Sequence, residues 1–310
     1  MNAWIKYAFL FFLWFPFRNI VRKFSTRRNA YHRVLVLGSL LGNLFYLFFP
    51  LGRKLIRAEL ESLDLYTPMA VRKTFQHLMK IEMEGMVFED LNRALIEDIT
   101  IFDGLKYLDE CLKQGRGAVL VLFHFGWHMH TIPALGFMGY NIRQIADAKP
   151  VDLDRKLNFF HRKVIEKRLQ NADNLPVIFI KAGTYLRPVM RELEQNNVLI
   201  VALDGREAKN FKPFSLLSKT ILLSPVMLRV AQKTRSPVLP MFTYRGEDGK
   251  HRIILHPPLS EDDPDQMVKQ IVSIFEGYLC QRPCQYAQYL LSNELASRGE
   301  MKDRRSVLIQ

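Results

Sequence analysis

Three things are scarce in this chain of 310 residues. Cysteine occurs only at Cys111, Cys280 and Cys284, an odd count without paired spacing, which excludes a disulfide framework and fits a reducing compartment. Acidic residues are missing altogether before Glu59, while Lys6, Arg18, Arg22, Lys23, Arg53, Lys54 and Arg57 are interleaved there with strongly apolar runs. A clean membrane-spanning segment is missing too. Tyr7 to Phe17 is too short, and Val34 to Leu51 is interrupted by Gly38, Ser39, Gly42 and Asn43. No small-x-small cleavage site follows the first run, so a signal peptide is not expected. Internal repeats and low-complexity linkers are also absent.

What is abundant is positive charge: 44 Lys and Arg stand against 31 Asp and Glu, for a net +13. Such a field favours anionic partners, either nucleic acid or an acidic lipid surface. Basic residues alternating with apolar runs suit a membrane interface, and no nucleic-acid recognition motif occurs, so no nucleic-acid partner is expected. Residues 1–57 are therefore expected to form a membrane-associated helical segment, an amphipathic hairpin whose arginines hold its flank in the cytoplasm. A pair of ordinary buried helices is the plainer alternative.

The chain is organised around Ala118 to Gly136. Six apolar residues, Ala118 to Phe123, run into His124 and Gly126 and then into a second apolar stretch, the pattern of a buried parallel strand, a tight turn and a helix. Before it, Ala58 to about Leu112 has helical spacing, with Thr67 as cap and Pro68 in the first turn. After it, short apolar runs alternate with longer amphipathic ones. Strands are expected at 118–123, 141–146, 176–180, 198–203, 238–244 and 252–255, with helices near 129–138, 152–171, 184–196 and 222–233. That order predicts an α/β fold: a mixed, largely parallel sheet flanked by helices, with the N-terminal apolar segment appended. The domain organisation expected is 1–57 membrane-associated, 58–296 the α/β domain with its helical lead-in, and 297–310 a charged, disordered tail. Parallel strands share one carboxyl edge, which places His124, Asp147, Lys181 and Asp204 on the side where open α/β sheets bind ligands.

With these residues in place, the chain resembles the lipid A biosynthesis acyltransferases of the lysophospholipid acyltransferase superfamily. The resemblance rests on the strand ending in His124-Phe125-Gly126, on Lys149-Pro150, on Asp204 in VLIVALDGR, on Phe214 to Thr220, on SPVLP at 236–240, on HPPL at 256–259, and on Pro283-x-Gln285-Tyr286. It implies transfer of an acyl chain from an acyl carrier protein or acyl-coenzyme A to a hydroxyl of a lipid or glycolipid acceptor. The location implied is the cytoplasmic face of a bacterial inner membrane, and no metal or other cofactor is needed. A histidine would act as general base, oriented by a carboxylate. The family carries that acid after four intervening residues, where this chain has Met129, whose thioether cannot stabilise an imidazolium.

Three repairs are conceivable: Asp147 or Asp204 orients His124 from a neighbouring strand, His128 or His130 takes over as base, or the chemistry is lost and a lipid- or carrier-binding protein remains on the same fold. His128 and His130 also have a bland reading, as exposed or helix-capping histidines. A metal-dependent hydrolase using His124, His128 and His130 is a further, weaker alternative, since two histidines on one helical face can hold zinc. Candidate catalytic residues are thus His124, Asp147 and Asp204. Candidate substrate contacts are Gly126, whose neighbouring amides sit at the helix start and suit an oxyanion, Lys149, Lys181, and Arg206 for a phosphate. Gly115-Arg116-Gly117 has a slight case for phosphate contact. The basic run 153–169 would face solvent, an acidic carrier or headgroups.

Overall fold

Proline and small side chains shape the amino-terminal part. The computed structural model describes residues 27–85, 91–146, 177–181, 186–205, 210–260 and 262–287. Helix α1 (Arg27–Phe48) and helix α2 (Pro50–Ser62) meet at a 97° bend. Pro50 opens α2, where its missing N–H costs nothing and its ring prevents α1 from continuing. Helix α3 (Pro68–Glu84) begins as its sequence requires: the Ala70 N–H donates to Thr67 Oγ1 at 3.0 Å, and Pro68 occupies the first position. Gly38 and Gly42 let the α1 backbone lie directly on α3, since a Cβ at either would strike the backbone of Lys80 or Gln76.

The outer face of α1 is apolar and exposed along Val36, Leu40, Leu44, Leu47 and Phe48, the last 80% exposed, and Leu51 extends it into α2. A stripe of that length on one helix face is an apolar patch of the kind found at protein–protein or membrane interaction sites. Among the described residues no single helix is long and apolar enough to cross a membrane, whereas the bent α1–α2 pair meets that criterion together.

The lead-in is not helical throughout. Helix α4 (Arg93–Ile99), capped by Asn92, passes straight into strand β1 (Thr100–Asp103), and helix α5 (Leu105–Leu112) follows. The helical expectation for 58–112 is therefore corrected at Thr100–Asp103. Thr100 and Ile101 are β-branched, and Gly104, at φ 79°, turns the chain where a Cβ would collide with the Leu255 carbonyl.

The main sheet has seven strands in the order β1-β9-β8-β2-β5-β3-β4. They are β2 (Ala118–Leu122), β3 (Ile142–Ala146), β4 (Val177–Lys181), β5 (Val198–Ala202), β8 (Val238–Arg245) and β9 (His251–Leu255), with β1 at one edge. Strands β8, β2, β5, β3 and β4 are mutually parallel, while β9 runs antiparallel to β8 and carries β1 in its own direction. This is the mixed, largely parallel sheet expected.

Helices α6 (His128–Phe137), α7 (Leu186–Glu194), α8 (Val226–Thr234) and α9 (Pro264–Gln281) complete the described helices. Alternation along β2 splits the core: Val119, Val121 and Phe123 enter one apolar layer, and Ala118, Leu120 and Leu122 the other. In the first layer Phe123 stacks on Phe275 of α9 at 4.0 Å, and Phe242 and Tyr278 extend the stack. Each fully buried aromatic ring contributes about 1.5–3 kcal/mol, which fixes α9 against the sheet beside the carboxyl edge.

A separate hairpin, β6 (Lys212–Leu216) with β7 (Lys219–Leu223), takes the place where the expected helix at 222–233 would begin; α8 starts only after Pro225.

Candidate active site

The site grows out of the register of two adjacent strands. Strand β2 pairs residue for residue with β5, Leu122 opposite Ala202, and the ladder continues with the Leu203 N–H donating to the Leu122 carbonyl at 2.8 Å. Two residues beyond that pair on each strand, His124 and Asp204 therefore arrive side by side. His124 Nδ1 lies 2.8 Å from Asp204 Oδ1, and the His124 backbone N–H donates to both carboxylate oxygens at 3.2 and 3.1 Å. Tyr286 adds its hydroxyl to Asp204 Oδ2 at 3.1 Å.

A carboxylate only accepts, so the His124 proton sits on Nδ1 and Nε2 is the atom left to take another. The Asp204 side chain is fully buried and that of His124 is 26% exposed. A desolvated charge held by three donor groups thus backs an imidazole that reaches solvent.

The turn between the strand and α6 is fixed by a segment from the far end of the chain. Gly126 has φ 60°, and a Cβ there would collide with the Thr243 carbonyl on β8. Its N–H donates to the Gln285 carbonyl at 2.9 Å. The side-chain amide of Gln285 in turn takes the Arg245 N–H at 2.7 Å and donates to the Arg245 carbonyl at 2.8 Å. The short 3₁₀ turn Pro283–Gln285 thereby ties the end of β8 to the turn that follows β2, and Tyr286 ties it to Asp204. Gly126 is a conformational requirement whose amide is already committed, so it does not serve an oxyanion. The Phe125 N–H is also engaged, with the Phe123 carbonyl.

The neighbouring histidines are neither exposed nor capping. His128 is buried with its ring edge-on to His124 at 4.5 Å; burial and then the neighbouring His124 ring push its pKa down to about 3. His130 is fully buried, 2.7 Å from Thr100 Oγ1 through Nε2 and stacked on Trp127, and burial lowers its pKa well below the ordinary value. Both are neutral at physiological pH, and with affinities so low they are poor bases. Among the described residues no group of His, Cys, Asp and Glu is placed to hold a metal ion. His130 points to Thr100 and His124 Nδ1 is held by Asp204, so the three histidines do not converge as a metal-dependent hydrolase would need.

Met129 lies at the second position of α6, 42% exposed. Asp147, Lys149 and Arg206, and the basic helix expected over 152–171, lie outside the described residues, as do residues 1–26 and the tail 297–310. Lys181 closes β4, two strands beyond β5, and only its backbone is described. Gly115-Arg116-Gly117 lies at the amino end of β2, on the edge opposite His124, and the Gly117 N–H is taken by Asn196 Oδ1 at 2.9 Å. It is a turn with no access to the site.

Two site residues were not assigned roles from sequence, Gln285 and Tyr286; their signal was the Pro283-x-Gln285-Tyr286 pattern itself. A further buried group had no local signal. Glu84 of α3 bonds Arg245 at 2.5 Å, Tyr31 of α1 at 2.5 Å and His251 of β9 at 3.0 Å. Burial alone would raise the Glu84 pKa, but Arg245 and His251 hold it well below the carboxylate range. The network joins the α1–α3 pair to the ends of β8 and β9.

A family model described as bacterial lipid A biosynthesis acyltransferase matches residues 67–291, more than half of the chain. No curated protein matches the chain.

Proposed function

Because the chain belongs to the bacterial lipid A biosynthesis acyltransferase family and is accordingly an acyltransferase, we infer that it moves a fatty acyl chain from a carrier-protein or coenzyme A thioester to a hydroxyl of a lipid A-type acceptor, with His124 as general base. The observation that carries this reading is the 2.8 Å contact between His124 Nδ1 and the buried Asp204 carboxylate. His124 Nε2 takes the proton of the acceptor hydroxyl as its oxygen attacks the thioester carbonyl. Asp204 holds the tautomer and stabilises the imidazolium. Collapse of the tetrahedral intermediate breaks the C–S bond, and the imidazolium returns the proton to the departing thiolate.

With the amides of Phe125 and Gly126 engaged, the first-turn amides of α6, at His128 and Met129, have no backbone partner among the described residues, and they suit the developing oxyanion. The exposed apolar stripe of α1 and the bend into α2 support seating in a membrane surface, with the cytoplasmic face of the inner membrane supplying thioester donors. Asp147, Lys149, Lys181 and Arg206 remain proposed contacts of the same edge.

The test is mass spectrometry of a lipid A precursor incubated with labelled acyl thioester and purified protein. One added acyl mass with the native chain and none with His124→Ala supports the reading. Full transfer by a folded His124→Ala protein overturns the assignment of the base.

A further inference from the structure

Strand β8 outruns its neighbour. It pairs with β2 where Val238, Leu239 and Pro240 stand opposite Val119, Leu120 and Val121, but β2 ends at Leu122 while β8 continues to Arg245. The buried Gln285 amide serves the Arg245 peptide groups as a further strand would, accepting from the N–H at 2.7 Å and donating to the carbonyl at 2.8 Å. A side-chain amide can do both, because its oxygen accepts and its NH₂ donates. The Gln285 backbone carbonyl holds the Gly126 N–H at 2.9 Å, and the next residue, Tyr286, donates to Asp204 Oδ2 at 3.1 Å. A shift of Gln285 is therefore felt on both sides of the dyad, in the turn that follows His124 and at its acid.

Arg245 is itself held by the amino-terminal helices. Its guanidinium donates to Glu84 Oε2 of α3 at 2.5 Å and to the Tyr31 hydroxyl of α1 at 3.1 Å, and Tyr31 donates to Glu84 Oε1 at 2.5 Å. The ion pair is buried, its side chains 6% and 0% exposed. Desolvation offsets most of the attraction in such a pair, so its use lies in fixing one arrangement more than in added stability. Tyr31 reaches Glu84 because α1 lies flush on α3, where Gly38 and Gly42 leave no Cβ to strike Lys80 and Gln76.

We propose that Gln285 is a positioning residue of the transfer centre and that Tyr31, acting through Glu84 and Arg245, makes the packing of α1 on α3 part of the same positioning. Every link from Tyr31 to His124 is a hydrogen bond or a single residue of chain, and the links converge on Arg245. The inference rests on the reading of His124 as base, so it is tested at the imidazole as well as by turnover.

The chain has eight histidines. Full-length protein labelled with ¹⁵N-histidine is studied in detergent by NMR, and the ring signal lost in His124→Ala identifies His124. The variants are Gln285→Met, which keeps length and loses both bonds, Tyr31→Phe, and the two combined. Tyr140→Phe is the control: it removes the same kind of bond, to Asp109 at 2.8 Å, ahead of the amino end of β3.

Gln285→Met should lower kcat by about thirtyfold to a hundredfold, the scale of a displacement near 1 Å, and Tyr31→Phe by about threefold to tenfold, with KM within about twofold in both. The His124 Nδ1 signal should move the same way in both, away from its hydrogen-bonded position. The double variant should lose less than the product of the single losses, since both act through Arg245. Tyr140→Phe should leave kcat and the signal as in the native chain.

A folded Gln285→Met protein with native kcat and an unmoved His124 signal overturns the proposal. Tyr31→Phe that lowers the melting temperature but neither kcat nor the signal reduces Tyr31 to a structural part and overturns the link to α1, as do single losses that simply multiply. If Gln285→Met does not accumulate, Gln285→Glu, isosteric and without the NH₂ donor, is read in the same way. Full transfer by folded His124→Ala overturns the base instead, and a His124 signal still moved by the Gln285 variant then supports the positioning of the pair.

Discussion

Asp204→Asn is the sharpest perturbation of the dyad, because it preserves size while removing the charge and half of the acceptor capacity. Asp204 now takes the His124 ring N–H, the His124 backbone N–H and the Tyr286 hydroxyl. An asparagine offers one acceptor oxygen and an NH₂ group. If the oxygen serves the backbone N–H and Tyr286, the amide donor faces Nδ1, the imidazole proton is driven to Nε2, and the base is in the wrong tautomer. The expected loss in kcat is a hundredfold to ten-thousandfold, or about 3 to 5 kcal/mol of transition-state stabilisation. KM for the acceptor should change little, since Asp204 is buried away from it. Single-turnover transfer of a labelled acyl chain measures the effect, and thermal unfolding checks that the variant is folded. A folded Asp204→Asn protein within threefold of native kcat would refute the reasoning.

Tyr286→Phe removes one hydrogen bond to a charged group, worth about 1.5–3 kcal/mol; a roughly tenfold or greater fall in kcat is expected, and wild-type kcat would remove Tyr286 from the dyad's support. Gly126→Ala places a Cβ against the Thr243 carbonyl at positive φ, so its melting temperature should drop by many degrees or the protein should not accumulate, as differential scanning fluorimetry will show. His128→Ala should cost less than tenfold in kcat, because a neutral ring with so low a proton affinity cannot be the base. For pH, His77 and His128 are both held near 3, below the ordinary imidazole value. The unfolded chain therefore binds protons that the folded one refuses between about 6.5 and 3. Stability is full above that window and falls as pH drops through it, by about 1.4 kcal/mol per pH unit for each ring; denaturant midpoints that stay flat from pH 7 to 4 would contradict this.

Much of this centre was legible in the residues, and what was not has identifiable causes. Six apolar residues ending in His124 and another apolar run ending in Asp204 marked two strand ends on one edge. Which acid meets His124 depends on strand order, which alternation along a strand does not encode. Strand β5 lies directly beside β2, and β3 lies beyond β5, so Asp204 meets the imidazole across a sequence gap of 80 residues. Strand β1 escaped because four residues give no period to count. The β6–β7 hairpin escaped because its turn lacks the usual glycine or asparagine. Leu217 takes φ 50° there, and its N–H is held by Glu276 Oε1 of α9 at 2.6 Å, a tertiary contact standing in for turn chemistry. The Glu84 network joins residues up to 220 apart in the chain, so no local pattern announces it.

In the proposed mechanism the acid sits at the end of β5 and not on α6, which changes how its charge acts. A carboxylate at Met129 would sit on a helix surface, 42% exposed in the present side chain, where water weakens its attraction for an imidazolium. Asp204 is fully buried and receives three donor groups, so it acts on the ring through a medium of low polarisability. Its position is also set differently. The helix position would depend on one turn of α6, whereas Asp204 is placed by the β2–β5 ladder, down to the Leu203 N–H on the Leu122 carbonyl at 2.8 Å. A two-residue geometry carried by two paired strands is held more precisely than one carried by a loop. In the mechanism proposed here, the core that packs β2 against β5 is therefore part of the catalytic apparatus, and the family's usual acid position is left free to carry an apolar side chain at the mouth of the site.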